Sequence, residues 1–201
     1  MAKVNWHAKD IGTIAEFLSA AECDEYVRLG ESMGFEDAPL TTGRGPVMMK
    51  DVRNNDRVMI DDVGRAQDLY QRLSSHLASR FKKEWTPVGL NERLRLYRYD
   101  PGQKFDWHYD GYFERPTGER SFFTFMVYLN EDFEGGITSF ADGYHGASIG
   151  GAFRVEPKTG MALLFHHPIL HRGDAVIAGR KYVLRTDVMY ARCIGNVGTR
   201  V

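Results

Sequence analysis

Beyond about Pro87 the chain abandons helical spacing and breaks into short runs of β-forming residues, each closed by a turn signal. The runs are residues 94–99, 122–129, 137–140, 152–155, 162–165 and 182–190. Between them stand Asp100-Pro101-Gly102, Gly135-Gly136, Gly150-Gly151 and Pro157-Lys158-Thr159-Gly160, and the 21 glycines of the chain suit so many reversals. Strands in succession cannot form the parallel sheet that strand–helix alternation builds. No glycine-rich phosphate loop is present either, so the pattern disfavours a doubly wound nucleotide-binding fold. A sandwich or barrel is expected over residues 88–193.

Residues up to 87 read differently and are expected to form a mainly helical flank, packed on one side of the β core in a single domain of residues 1–201. Ser19-Ala20-Ala21-Glu22 fits a capping box, and Cys23, Tyr26, Val27 and Gly30 follow at helical spacing. A second helix is expected over residues 62–81, burying Ala66, Leu69, Tyr70, Leu73, Leu77 and Phe81. Between the two, residues 41–57 are polar, glycine-bearing and aperiodic, as a long functional or mobile loop would be.

Charge and cysteine usage narrow the partners. Lysine and arginine number 26 against 27 acidic residues, and neither half of the chain is basic, so an electrostatic hold on nucleic acid or anionic lipid is not expected. No apolar run approaches a membrane span, and the first seven residues do not resemble a signal peptide. Two cysteines, Cys23 and Cys193, make no disulfide scaffold, and Cys23 reads as a small core residue. The expectation is a soluble, cytoplasmic chain whose partner is a small molecule or a protein segment.

Chemistry concentrates at Tyr99 to Asp110. His108 and Asp110 are two apart, so an extended strand sends both side chains from one face, while Trp107 and Tyr109 point away and are expected to pack. An imidazole and a carboxylate aimed at one point are two thirds of the facial triad of non-haem iron oxygenases. The third ligand would be a histidine from another strand, and His166, His167 and His171 all follow the apolar run 162–165.

At His171 the chain resembles the prolyl 4-hydroxylase-like Fe(II)/2-oxoglutarate dioxygenases. His171, Gly173, Val176, Gly179 and Lys181 match that family's H-x-G-x-x-V-x-x-G-x-K run, and Tyr99, Gly102, Phe105, His108 and Asp110 match its Y-x-x-G-x-x-[FY]-x-x-H-x-D. Tyr128-Leu129, Gly135-Gly136-Ile137-Thr138 and the opening Phe17-Leu18-Ser19 to Cys23 are similar as well. The resemblance implies a double-stranded β-helix, a jelly-roll of the cupin-like kind, with N-terminal helices on one side. It implies Fe(II) on His108, Asp110 and His171, with 2-oxoglutarate and O2 as co-substrates and ascorbate as reductant. Lys181, rather than its neighbour Arg180, would take the far carboxylate of 2-oxoglutarate, with hydroxyls from Tyr99, Tyr128 and Thr138. Arg185 shares strand parity with Lys181 and either touches substrate or pairs with an acid such as Asp187; Arg120 stands as a second substrate contact. His7, His76, His145, His166 and His167 are read as structural.

The activity implied is hydroxylation of an unactivated C–H bond, of a proline residue in a peptide or protein, with a free amino acid or other small molecule as the alternative substrate. Residues 41–57 and 111–119 would form the substrate edge. A catalytically silent jelly-roll binding module is the rival of another class, and a metal-dependent hydrolase or isomerase on a cupin-like barrel a third; neither would need Lys181 at its place.

Overall fold

The frame of the molecule is its last long strand, which alternates two kinds of residue. In the computed structural model, which describes residues 4–43, 45–142 and 150–193, this strand is β17, Lys181–Arg192. Tyr182, Leu184 and Val188 join an apolar cluster on one face, whereas Lys181, Val183, Arg185 and Asp187 fall on the other by strand parity. The strands before it are β1 (Asn5–Ala8), β2 (Ile11–Ile14), β3 (Glu36–Asp37), β4 (Leu40–Thr42), β5 (Gly45–Val47) and β6 (Asp56–Asp61). Next come β7 (Trp85–Leu90), β8 (Arg93–Tyr99), β9 (Phe105–His108), β10 (Arg120–Tyr128) and β11 (Phe133–Gly135). The remainder are β12 (Thr138–Phe140), β13 (Phe153–Val155), β14 (Ala162–His166), β15 (His171–Gly173) and β16 (Val176–Gly179).

Two sheets face each other. The larger, nine-stranded and antiparallel, runs β1-β2-β14-β10-β17-β8-β6-β3, with β7 also paired to β17. The smaller runs β13-β12-β15-β9. Between them lies a core that includes Tyr97, Tyr99, Phe105, Tyr128, Phe140, Phe165 and Val183. Outside the larger sheet, α1 (Ala20–Met33) and α2 (Val63–Ser74) pack Cys23, Tyr26, Ala66, Leu69 and Leu73 against Leu94, Leu96, Phe125, Val127 and Leu184. The expected double-stranded β-helix with helices on one side is therefore present, and all six expected strands appear within two residues of their expected ends.

The flank requires correction. Among the described residues up to 87 there are two helices and more strands than helices, and these strands are two to six residues long, too short to show an alternation. Most of them extend the larger sheet: β2 pairs β14, and β6 pairs β8. The second helix stops at Ser74, not at residue 81. Lys82 and Lys83 adopt φ of 48° and 64°, so Phe81 enters the core from a reversal and packs 5.2 Å from the Phe122 ring. The span 41–57 includes part of the β4–β5 hairpin and a bridge from Arg53 to Phe105. The capping box is formed: the Ser19 hydroxyl accepts the Glu22 N–H, and the Glu22 carboxylate accepts the Ser19 N–H.

One glycine ties the flank to the core. The Gly160 N–H donates to the Tyr128 carbonyl, and its own carbonyl accepts the Leu18 N–H at 3.1 Å. Its φ is +76°, and a Cβ there would lie 1.9 Å from the Leu18 oxygen. Gly160→Ala is expected to lower the melting temperature by roughly 5–10 °C. Thermal unfolding followed by circular dichroism checks this, and an unchanged midpoint would contradict it.

Candidate active site

Strands β9 and β15 pair so that His108 and His171 stand directly opposite, with ring centroids 4.2 Å apart. Strand β9 ends at His108, so Asp110 reaches the same point from the following loop, where its N–H donates to the His167 carbonyl. One ligand atom from each of His108, Asp110 and His171 lies within 4.8 Å of the others. Both imidazoles are oriented by their own backbone. Nδ1 of His108 is 2.7 Å from the Asp106 carbonyl and Nδ1 of His171 is 2.9 Å from that of Ile169. A carbonyl only accepts, so each Nδ1 carries the proton and each Nε2 offers a lone pair. Those Nε2 atoms lie 3.7 and 3.6 Å from the Asp110 carboxylate.

The protonation states suit metal binding. Burial pulls the His108 imidazole down to about 3 and lowers that of His171 as well, so both are neutral near pH 7. Burial alone would raise the Asp110 carboxyl, but Arg185 foremost, with the neighbouring imidazoles, holds it far below the carboxylate range. Two neutral imidazoles and one carboxylate are a donor set for a divalent first-row metal, with coordination positions left over.

A relay of hydrogen bonds fixes the carboxylate. The Thr124 hydroxyl donates to Asp110 at 2.5 Å and lies 3.0 Å from His167 Nδ1. That proton spent, Thr124 must accept from Nδ1–H. His167 Nε2 then accepts from the Ser121 hydroxyl at 3.0 Å, and Ser121 accepts the Phe113 N–H at 2.8 Å. On the other oxygen, Arg185 Nη2 sits 2.9 Å away and is also 3.6 Å from Asp187. Arg185 thus pairs with an acid, and the acid is Asp110 as well as Asp187.

A narrow cavity of about 40 Å³ opens from these groups, lined by Tyr99, Thr138, Met126 and Phe165, and reaches Lys181. Lys181 is 3 % exposed; its ammonium donates to the Gly136 carbonyl at 2.5 Å and lies 5.3 Å from the Tyr99 ring. No carboxylate forms a salt bridge with it among the described residues, and burial pulls the ammonium down to about 7. The Tyr128 hydroxyl does not line the cavity but bonds that of Thr138 at 2.7 Å. Burial pushes the phenols of Tyr99 and Tyr128 well above their usual range, so both keep their protons. Arg180 lies outside: it pairs on the surface with Asp100 at 2.6 Å.

Other expectations fare unevenly. Trp107 and Tyr109 are not packed away; they are 39 % and 59 % exposed, and Tyr109 lines a cavity that also reaches His108 and Asp110. Arg172 stacks on Trp107 instead. Arg120 stacks 3.6 Å over Tyr112 and shares a cavity of about 370 Å³ with Asp110 and Lys82. His166 packs between Phe81 and Phe123, His7 bonds Thr13, and His76 is half-buried. His145 lies outside the described residues. Thr124, Ser121 and the positioning part played by His167 escaped the sequence reading, because a threonine within an apolar strand carries no signal of its own.

The geometry has counterparts. A profile of the 2OG-Fe(II) oxygenase superfamily matches residues 94–186. Prolyl 4-hydroxylase 1 of Arabidopsis thaliana is 28 % identical over 199 residues, which cover 89 % of this chain and 68 % of that protein. Prolyl 4-hydroxylase 2 of the same plant is 27 % identical over 194 residues, 83 % of this chain and 62 % of its own length. Among solved structures, a prolyl hydroxylase from Trichoplax adhaerens, in complex with a hypoxia inducible factor oxygen degradation domain peptide fragment, superposes with a TM-score of 0.65. It is 18 % identical and covers 89 % of this chain and 83 % of its own. The matched span holds the converging donors and the buried lysine, and the chain is similar there to the 2OG-Fe(II) oxygenase superfamily and, over most of its length, to prolyl 4-hydroxylases.

Proposed function

We propose that this chain hydroxylates a proline residue in a peptide or protein, using Fe(II) held by His108 Nε2, the Asp110 carboxylate and His171 Nε2. The observation that carries this reading is the convergence of two neutral imidazoles and one carboxylate beside a cavity that ends at a buried lysine, which forms no salt bridge among the described residues. The curated relatives, named as prolyl 4-hydroxylases, support the substrate class. Bound Fe(II) would supply the activation of O2, one oxygen atom passing to succinate as 2-oxoglutarate loses CO2 and the other entering the C–H bond.

The remaining work falls to side chains. Lys181 neutralises the far carboxylate of 2-oxoglutarate, and the protonated Tyr99 and Thr138 offer hydroxyls to it, with Tyr128 orienting that of Thr138 from behind. The aromatic walls of Tyr97, Tyr99, Phe105 and Phe165 keep water from the reacting groups. Thr124 and Arg185 hold Asp110 so that its lone pairs stay aimed at the metal. Substrate enters beside Leu40 and residues 111–113, which line a wider cavity reaching His108 and Asp110.

The direct test incubates the purified chain with Fe(II), ascorbate, 2-oxoglutarate and proline-containing peptides. Succinate should form and a peptide should gain the mass of one oxygen; absence of succinate under every condition would contradict the reading. Asp110→Ala should cut succinate formation at least about 100-fold.

A pH dependence follows from Lys181. In the unliganded chain its ammonium loses its proton near pH 7, whereas an adjacent carboxylate favours the charged form and raises its pKa. Above pH 7, 2-oxoglutarate must therefore bind together with a proton. Its KM should rise with pH by up to about tenfold per unit. A flat KM between about pH 7 and pH 8.5 would contradict this linkage.

A further inference from the structure

The wider cavity, about 320 Å³, shares His108, Asp110, Tyr97, Phe105 and Arg185 with the lysine slot but is lined in addition by Arg53, Arg57 and Arg95. Four guanidinium groups thus meet two acids, Asp110 and Asp187. Both acids are taken: Arg185 bonds Asp110, and Asp187 lies between Arg95 at 3.3 Å and Arg185 at 3.6 Å. That leaves Arg53 and Arg57, neither of which forms a salt bridge among the described residues.

Arg53 is an unusual residue to leave without a counter-charge, being only 4 % exposed. Its guanidinium lies 4.8 Å from the Tyr97 ring centroid and 4.5 Å from that of Phe105, beside the His108 strand. Nε donates to the Asn55 carboxamide oxygen at 2.8 Å, while Nη2 is buried with no hydrogen-bond partner. Arg57 follows on β6 and stands opposite Tyr97 of β8. Arg95 and Arg185 are directly opposite on β8 and β17, and Asp187 between them is used up in offsetting that like-charge pair, so it has no charge to spare for Arg53 or Arg57. The potential in the cavity is visible on Tyr97: burial would raise its phenol, yet Arg185, Arg53 and Arg95 together pull it down to about 8. A pocket that gathers more fixed positive charge than it can neutralise, with donors unused, is built for an anion that arrives from outside.

We propose that the primary substrate carries a carboxylate that docks on Arg53 and Arg57, with Arg95 beside them, next to the carbon oxidised at the triad. This rests on the iron and 2-oxoglutarate reading above and names the substrate class for that site. Planar guanidinium donors accept a carboxylate through two parallel N–H bonds, which fixes the substrate's orientation as well as its affinity. The carboxylate has two sources, an acidic side chain adjoining the target proline or the α-carboxylate of a terminal or free proline. A site built to bond a charged group rejects the neutral isostere strongly, because its own buried donors are then left unpaired.

The test compares pairs of probes. One pair is a blocked peptide with glutamate next to proline against the same peptide with glutamine. The other is a peptide ending in proline with a free carboxylate against its amide, with free proline as a further arm. For the native chain at least one acid should exceed its neutral partner in kcat/KM by about 100-fold or more, and which pair does so identifies the source. In Arg57→Gln that ratio should fall to about fivefold or less. Arg57 is half-buried, so this variant avoids the risk that Arg53→Gln disturbs the ring stack. Equal turnover of acid and neutral probes, with succinate formed, would overturn this inference and leave the reading beneath it standing; no succinate with any probe would overturn both. Calorimetry with the same probes and the metal-loaded chain decides the matter if succinate forms but no probe is oxidised. An acid binding at least about tenfold tighter than its neutral partner supports the inference, and equal affinities or no binding overturn it.

Discussion

Everything at the centre of this molecule depends on keeping one carboxylate, its side chain only 4 % exposed, ionised and immobile. An isolated buried carboxylate would take up a proton and cease to be an anionic ligand. Asp110 avoids this because Arg185 neutralises one oxygen and the Thr124 hydroxyl bonds the other. Those partners come from β17 and β10 of the larger sheet, whereas His108 and His171 come from β9 and β15 of the smaller one. The site is therefore only as good as the register between two facing sheets. The helices buttress the outer face of the larger sheet, and the inner face is left to the chemistry.

That inner face is also an electrostatic device with two ends. Lys181 closes the narrow cavity, and Arg53, Arg57 and Arg95 line the wider one, with Asp110 and His108 common to both. Strand parity explains how one element serves both ends. On β17, Lys181, Val183, Arg185 and Asp187 point inward, so a single strand supplies the proposed co-substrate cation, the partner of the ligand carboxylate and the acid that separates Arg95 from Arg185. A charge shared along one rigid strand cannot drift relative to the metal site, which is why positioning groups belong on sheets rather than loops.

Much of this was legible in the sequence, for reasons that are physical. His108 and Asp110 could be found because a spacing of two on an extended segment sends an imidazole and a carboxylate to one side, whereas His171 among three histidines, and Lys181 over Arg180, were singled out by the resemblance to a family. The six expected strands could be found because each is a run of β-forming residues closed by a glycine- or proline-bearing turn. Strands β9, β15 and β16 lie outside the six expected runs because the ligands and their glycines interrupt the apolar pattern, although the ligands themselves were expected on extended segments. Residues 1–87 misled more thoroughly: strands of two to six residues at sheet edges leave no periodic trace, while the capped helix α1 announces itself. Thr124 and His167 were hidden for another reason. One looks like any strand residue and the other like the discarded half of a histidine pair, and only the fold shows that their hydroxyl and ring meet at Asp110. Arg53 sat in a span with no pattern at all.

The claim that Asp110 is held for a metal by its partners can be measured without any substrate. Anaerobic equilibrium dialysis of Fe(II) against the native chain and Thr124→Val, at equal folded fraction, isolates the contribution of one hydroxyl. The native chain should bind one Fe(II), and Thr124→Val should bind it roughly 10–100-fold more weakly. Equal affinities in the two proteins would contradict the claim.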